Sequence, residues 1–209
     1  MSSTFSFFIK LTLLLHIGTL YAQTFTNPVL PGGYPDPSIC KVGDDFYMAN
    51  SSFEYFPGIP IHKSKDLVNW TLIGHGLQRE AQCTGAVNLV DVQSNGGIYA
   101  PTLRYHDGTF YVITTAIYFD AKTKKHSGNN FIITATNPAG PWSDPVVVQG
   151  APGIDPDLFF DEDGRLWYTG QQKPKDPEFI DQKEIWMQEL NRETCLLYTS
   201  PSPRDDATS

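Results

Sequence analysis

Sulfur is scarce in this sequence, and basic charge is scarcer than acidic. The 209 residues include three Cys and three Met. Cys40, Cys83 and Cys195 show no CxxC or Cys/His spacing, so neither a zinc site nor a disulfide framework can be read from them. Lys and Arg total 15 against 23 Asp and Glu, a formal net charge of −8. With no basic stripe along the chain, a phosphate-backbone partner is excluded and no nucleic acid is expected. Beyond residue 23 there is no long apolar run and no sustained helical period with caps. That excludes a helical bundle and a membrane span within that part.

What is present is aromatic, turn-rich and exported in character. Aromatics make up 13% of the chain, beside 16 Pro and 17 Gly, the composition of a loop-rich β protein. Residues 1–22 read as a signal peptide: Lys10 closes the lead, Leu11 to Leu20 form a short apolar core, and Tyr21-Ala22 precedes the cleavage point. An uncleaved anchor is the alternative. With cleavage, no stable membrane span remains and the protein is periplasmic or extracellular.

One pattern recurs three times, as YPDPSICKVGDDFYM from Tyr34, YAPTLRYHDGTFYVI from Tyr99 and IDPDLFFDEDGRLWY from Ile154. Each copy has a proline, a short strand, a turn with Asp or Gly, and an aromatic-rich second strand. The prolines at 37, 101 and 156 stand 64 and 55 residues apart. A strand-only period of roughly 40–60 residues is the signature of β-propeller blades. The spacing predicts an all-β propeller with about three blades over residues 23–194. Blade one has strands Ser38–Val42 and Phe46–Asn50, with an outer strand opening at Trp70. Blade two has Thr102–Tyr105, Phe110–Thr115, Phe131–Thr136 and Trp142–Val148. Blade three has Asp157–Phe160, Leu166–Gly170 and Glu184–Leu190. Residues 195–209, CLLYTSPSPRDDATS, break the blade pattern and look like translated adapter or vector sequence. They are expected to pack against nothing.

The innermost strand of every blade lines a common axis, so equivalent positions converge in space. Before the three prolines stand Asp36, Ala100 and Asp155. Two carboxylates at matched positions thus point toward one site, although Asp-Pro is also an ordinary turn dipeptide.

These segments resemble glycoside hydrolase family 43, particularly its β-xylosidases. The carrying stretches are NPVLPGGYPDPSIC, DDFYMANSSFEYFPGIPIHKSKDLVNW, GGIYAPTLRYHDGTFY and GIDPDLFFDEDG. The resemblance implies a five-bladed propeller that hydrolyses xylosidic or arabinosidic bonds with inversion. It implies Asp36 as the general base and Asp155 as the carboxylate that tunes the acid's pKa. Inversion uses a base and a protonated acid about 6.5–9.5 Å apart, with water between base and sugar. The family's acid is a Glu on the next blade. No Glu of this sequence matches its motif, and the repeat places it near ~211–220, so the chain by itself is expected to be inactive.

Phe53 and Tyr99 are the candidate substrate-binding residues, with blade packing as the other reading for Phe53. Tyr99-Ala100-Pro101-Thr102 stands where many β-xylosidases have Trp-Ala-Pro-His, and Phe53-Glu54-Tyr55-Phe56 where they have Phe-Glu-Trp-Phe. Tyr still stacks on a sugar face, whereas the missing His removes a polar contact. The partner is a xylo-oligosaccharide or an arabinoside. An α-L-arabinofuranosidase and a non-catalytic sugar-binding propeller stay open as alternatives. No cofactor or metal follows from the residues, and calcium is left open.

Overall fold

Among the described residues, alternating side chains and Gly/Asp turns build twelve strands, gathered into three antiparallel sheets that follow one another along the chain. The computed structural model describes residues 24–90, 92–120 and 124–198. The expected signal peptide lies outside them, as do residues 199–209.

Blade one is β1 (Ser38–Val42), β2 (Asp45–Ala49), β3 (Gly58–Ser64) and β4 (Thr71–Leu77), paired in that order. The turn between β3 and β4 is closed by side chains. Ser64 Oγ accepts the N–H groups of Asp66 and Leu67, and Asp66 Oδ1 accepts those of Val68 and Asn69. The Asn69 bonds are the main reason the Asp66 carboxyl sits well below the usual carboxylate range.

Blade two is β6 (Thr102–His106), β7 (Thr109–Asp120), β8 (Lys125–Ala135) and β9 (Val146–Val147), with β5 (Gly97–Ile98) added beside the far end of β7. Its central hairpin is longer than the apolar pattern predicts. Thr115 to Asp120 continue to pair with Asn130 to Lys125, and the Thr115 hydroxyl donates to Asn130 Oδ1 at 2.6 Å. The outer strand is shorter than the expected Trp142–Val148. Trp142 lies outside it, buried at 1% exposure with its indole N–H on the Pro138 carbonyl.

Blade three is β10 (Asp157–Phe160), β11 (Leu166–Gln172) and β12 (Glu184–Leu190). The expectation that the chain leaves the blade at Cys195 is corrected over the residues described. Cys195 is buried. Leu197 bridges antiparallel to Leu190, and Leu196 bridges to Gln149 of blade two. The reversal is local: Asn191 Oδ1 accepts the N–H groups of Glu193 and Thr194, and the Cys195 N–H reaches the Asn191 carbonyl at 2.9 Å. That turn folds the next residues back over β12, where Leu197 covers apolar surface that polar composition alone gave no reason to expect.

The core is two apolar slabs between blades. One, including Tyr47, Ile59, Leu77, Phe110, Phe131 and Trp142, joins blades one and two. The other, including Ile113, Ile132, Val148, Leu158, Tyr168 and Leu190, joins blades two and three. A 3-10 turn, Glu80–Cys83, fastens the first slab. Its Gln82 amide donates to the carbonyls of Gly76 and Ser143, and Arg79 reaches the Trp142 carbonyl and Asp144. At Gly74 a Cβ would lie 2.5 Å from the Ala139 carbonyl oxygen, so only glycine lets β4 approach blade two this closely.

Candidate functional site

The innermost strands β1, β6 and β10 are tied to one another by side chains. Ser38 Oγ accepts the Leu103 N–H at 3.0 Å. The Thr102 hydroxyl donates to the Pro156 carbonyl at 2.9 Å. Arg104 donates from Nε to the Leu158 carbonyl at 3.2 Å and from a terminal nitrogen to Asp157 at 2.7 Å. These links fix the entry to each strand, which is where Asp36 and Asp155 sit.

Both aspartates adopt left-handed backbone, with φ of 51° at Asp36 and 57° at Asp155. Asp tolerates this region better than most non-glycine residues. Both are open to solvent, yet the protein around Asp155 strips enough water to raise its pKa, and the Asp36 charge raises it further. The negative charge of Asp36 is thus felt at Asp155.

The Asp36 turn is clamped from the end of β2. The Asn50 amide, fully buried, donates to the carbonyls of Tyr34 at 2.9 Å and Pro35 at 3.2 Å. The Ser51 N–H also reaches the Pro35 carbonyl, and the Ser51 hydroxyl donates to Asp36 Oδ2 at 2.5 Å. Beneath, Tyr34 meets His62 edge to face, centroids 4.9 Å apart. Burial pushes the His62 pKa down, so the ring is neutral where it packs.

Asp155 is clamped from blade two. The Asn130 amide donates to the carbonyls of Ala151 and Gly153, and Thr102 holds Pro156 on the other side. At Thr102, where the sequence has no His to offer a sugar, the hydroxyl seats the turn that carries Asp155. Gly153 and Ile154 also border an open cleft of about 350 Å³ with Gln171, Gln172, Lys173 and Lys183.

Phe53 and Tyr99 come together, with centroids 5.9 Å apart and planes at 71°. Phe53 pairs with Ile98 through N–H and carbonyl, both at 2.9 Å. Its φ of 47° is strained for so bulky a residue. Tyr99 is held by its N–H on the Thr115 carbonyl and its hydroxyl on the Asn95 carbonyl. Glu54 accepts the Asn95 N–H at 3.3 Å, the structural hydrogen bond that a carboxylate beside aromatics suggests. Tyr55 is 71% exposed and packs little. Sequence reasoning missed Asn50, Ser51, Arg104 and Asn130. The first two were legible only as hydroxyl and amide residues following β2 at the offset where blade two carries Thr114 and Thr115.

Among the described residues no cluster of three or more His, Cys, Asp or Glu side chains could hold a metal ion. Nor is any helix long and apolar enough to cross a membrane. The Cys40 thiol, partly buried against the first slab, is pushed up to about 11 by burial, against a smaller opposing pull from Arg104.

A family model described as glycosyl hydrolases family 43 matches residues 25–207. A xylosidase/arabinosidase of Butyrivibrio fibrisolvens is 48% identical over 174 residues, covering 82% of this chain and 31% of the relative. A non-reducing end α-L-arabinofuranosidase of Bacteroides ovatus is 54% identical over 151 residues, covering 72% of this chain and 26% of the relative. Among solved structures, a xylan β-1,4-xylosidase from Bacillus halodurans superposes with a TM-score of 0.72 at 40% identity, over 85% of this chain and 33% of that one. The chain thus spans about a third or less of the length of these relatives.

Proposed function

This chain belongs to glycosyl hydrolases family 43, and from that membership we propose that it carries the base side of an inverting glycosidase of β-xylosidase type. The substrate class is xylan-derived oligosaccharide. The observation that carries this reading is the pair Asp36 and Asp155, at matched entries of blades one and three and both in left-handed backbone.

The roles follow from the chemistry of inversion. Water attacks the anomeric carbon while its proton passes to Asp36, and the bond to the leaving oxygen breaks as that oxygen takes a proton from a general acid. Ser51 occupies Asp36 Oδ2. Oδ1 has no hydrogen-bond partner among the described residues and is the atom to take the proton. Asp155 supplies negative charge that favours the protonated form of a neighbouring acid. That acid is a Glu carried by a further blade, so the 209 residues alone are inactive. Phe53 and Tyr99 offer ring surface to the sugar. Export by way of the leader at residues 1–22 would make the enzyme periplasmic or extracellular.

Hydrolysis of α-L-arabinofuranosides is the second reading. It is favoured by the Bacteroides ovatus relative's name and by Thr102, whose hydroxyl is engaged with Pro156 rather than free for a sugar.

The test is Asp36→Asn in a complete five-bladed protein carrying these three blades, assayed on aryl β-xylosides and aryl α-L-arabinofuranosides. An amide cannot accept the proton, and kcat should fall by about 10²–10⁴ on the true substrate. Retained turnover removes Asp36 from the base role, and turnover by the 209-residue chain removes the need for an acid from elsewhere.

A further inference from the structure

Blades one and two use the same device to hold the residue two before the inner-strand proline. In blade two the Thr114 hydroxyl donates to the Tyr99 carbonyl at 2.8 Å, and the Tyr99 N–H meets the Thr115 carbonyl. In blade one Asn50 and Ser51 occupy the equivalent register, one and two residues past the partner of the first inner-strand residue. Asn50 and the Ser51 N–H hold the Pro35 carbonyl, so the backbone clamp is already complete without the Ser51 side chain. What differs is where the second hydroxyl goes. Thr115, beside Ala100, turns away to Asn130. Ser51, beside a carboxylate, turns to Asp36.

We propose that the Ser51 hydroxyl is a positioning residue for the reaction: it fixes the rotation of the Asp36 carboxylate so that Oδ1 faces the attacking water. This rests on the reading of Asp36 as the base. Ser51 is only 2% exposed and cannot itself reach a substrate in solvent. Its hydroxyl donates to a carboxylate, the kind of acceptor that makes a hydrogen bond charge-assisted. Asp36 is otherwise exposed on a turn, where a carboxylate with no partner rotates freely about its terminal torsion. A base held by one oxygen presents the other in a single direction, and small misplacements of a reacting group are costly.

The experiment compares Ser51→Ala, Ser51→Thr and Asp36→Asn in the complete five-bladed protein, measuring kcat, KM and Tm. For Ser51→Ala kcat should fall about tenfold or more, with KM within about twofold and Tm little changed, while Ser51→Thr, which restores a hydroxyl, recovers most of the rate. If Ser51→Ala keeps wild-type kcat while Asp36→Asn is inactive, the proposal fails and the base reading stands. If Ser51→Ala loses kcat and Tm together and Ser51→Thr rescues neither, Ser51 is structural and the proposal fails. If Asp36→Asn keeps its activity, the base reading fails and takes this proposal with it.

Discussion

Arg104 on β6 grips β10 at two points, the Leu158 carbonyl through Nε and the Asp157 carboxylate through a terminal nitrogen. The pair spans two blades just beyond the turn that carries Asp155. Both side chains are partly exposed, so the ion pair itself is worth less than about 1 kcal/mol. The larger share comes from the fork geometry and the backbone carbonyl that loses its donor.

Arg104→Ala should therefore destabilise the protein by about 1–2 kcal/mol. Arg104→Lys keeps the charge but not the two-point grip and should recover less than half. Urea unfolding of the three proteins measures both. Equal stability of the Lys variant and the parent would show that charge alone holds the blades.

Asp155 carries a penalty that its removal should reveal. Its pKa is raised by burial and by Asp36, so the folded state binds its proton more tightly than the unfolded state. Stability then falls as pH rises from the ordinary carboxylate value, about 3.9, through the raised one, and stays lower above it. Asp155→Asn should raise Tm at pH 7 and give no gain below pH about 3.5. The same variant should lose activity, as functional sites trade stability for chemistry. A Tm gain that is equal at both pH values would assign it to something other than charge.

Gly97 lies where β5 meets Phe53. A Cβ there would stand 2.0 Å from the Phe53 carbonyl oxygen, and its φ is 86°. Gly97→Ala should cost about 3 kcal/mol in combined strain and overlap. Near-UV circular dichroism should change with it, because Phe53 and Tyr99 lose their edge-to-face contact. Unchanged spectra and stability would mean that the loop shifts freely.

How much of this was legible depended on which force sets each element. The inner strands Ser38–Val42 and Asp157–Phe160 and the strand Glu184–Leu190 read to the residue, because proline and Asp/Gly turns bound a clear side-chain pattern. β7 and β8 outran their pattern because Ser127, Gly128, Asn129 and Asn130 pair by hydrogen bonds, not by apolar burial. Cys195 and Leu197 were hidden by the turn at Asn191, whose side chain reverses the chain in a way composition does not announce. The equivalence of Asp36 and Asp155 was visible in the repeat. Their clamps were not, since Asn50, Ser51, Thr102 and Asn130 are polar residues whose partners lie on other segments of the chain.

The left-handed backbone at Asp36 and Asp155 has a consequence at the level of the gene. Few residues accept that conformation cheaply, and Asn stands with Asp among them. Codons for the two differ by a single purine at the first base. If Asp36 accepts the proton as proposed, one transition deletes the acceptor while leaving the turn that carries it in place. On that reading, loss of catalysis would need no change of fold, and active and inactive forms of this turn would be told apart by one letter rather than by shape.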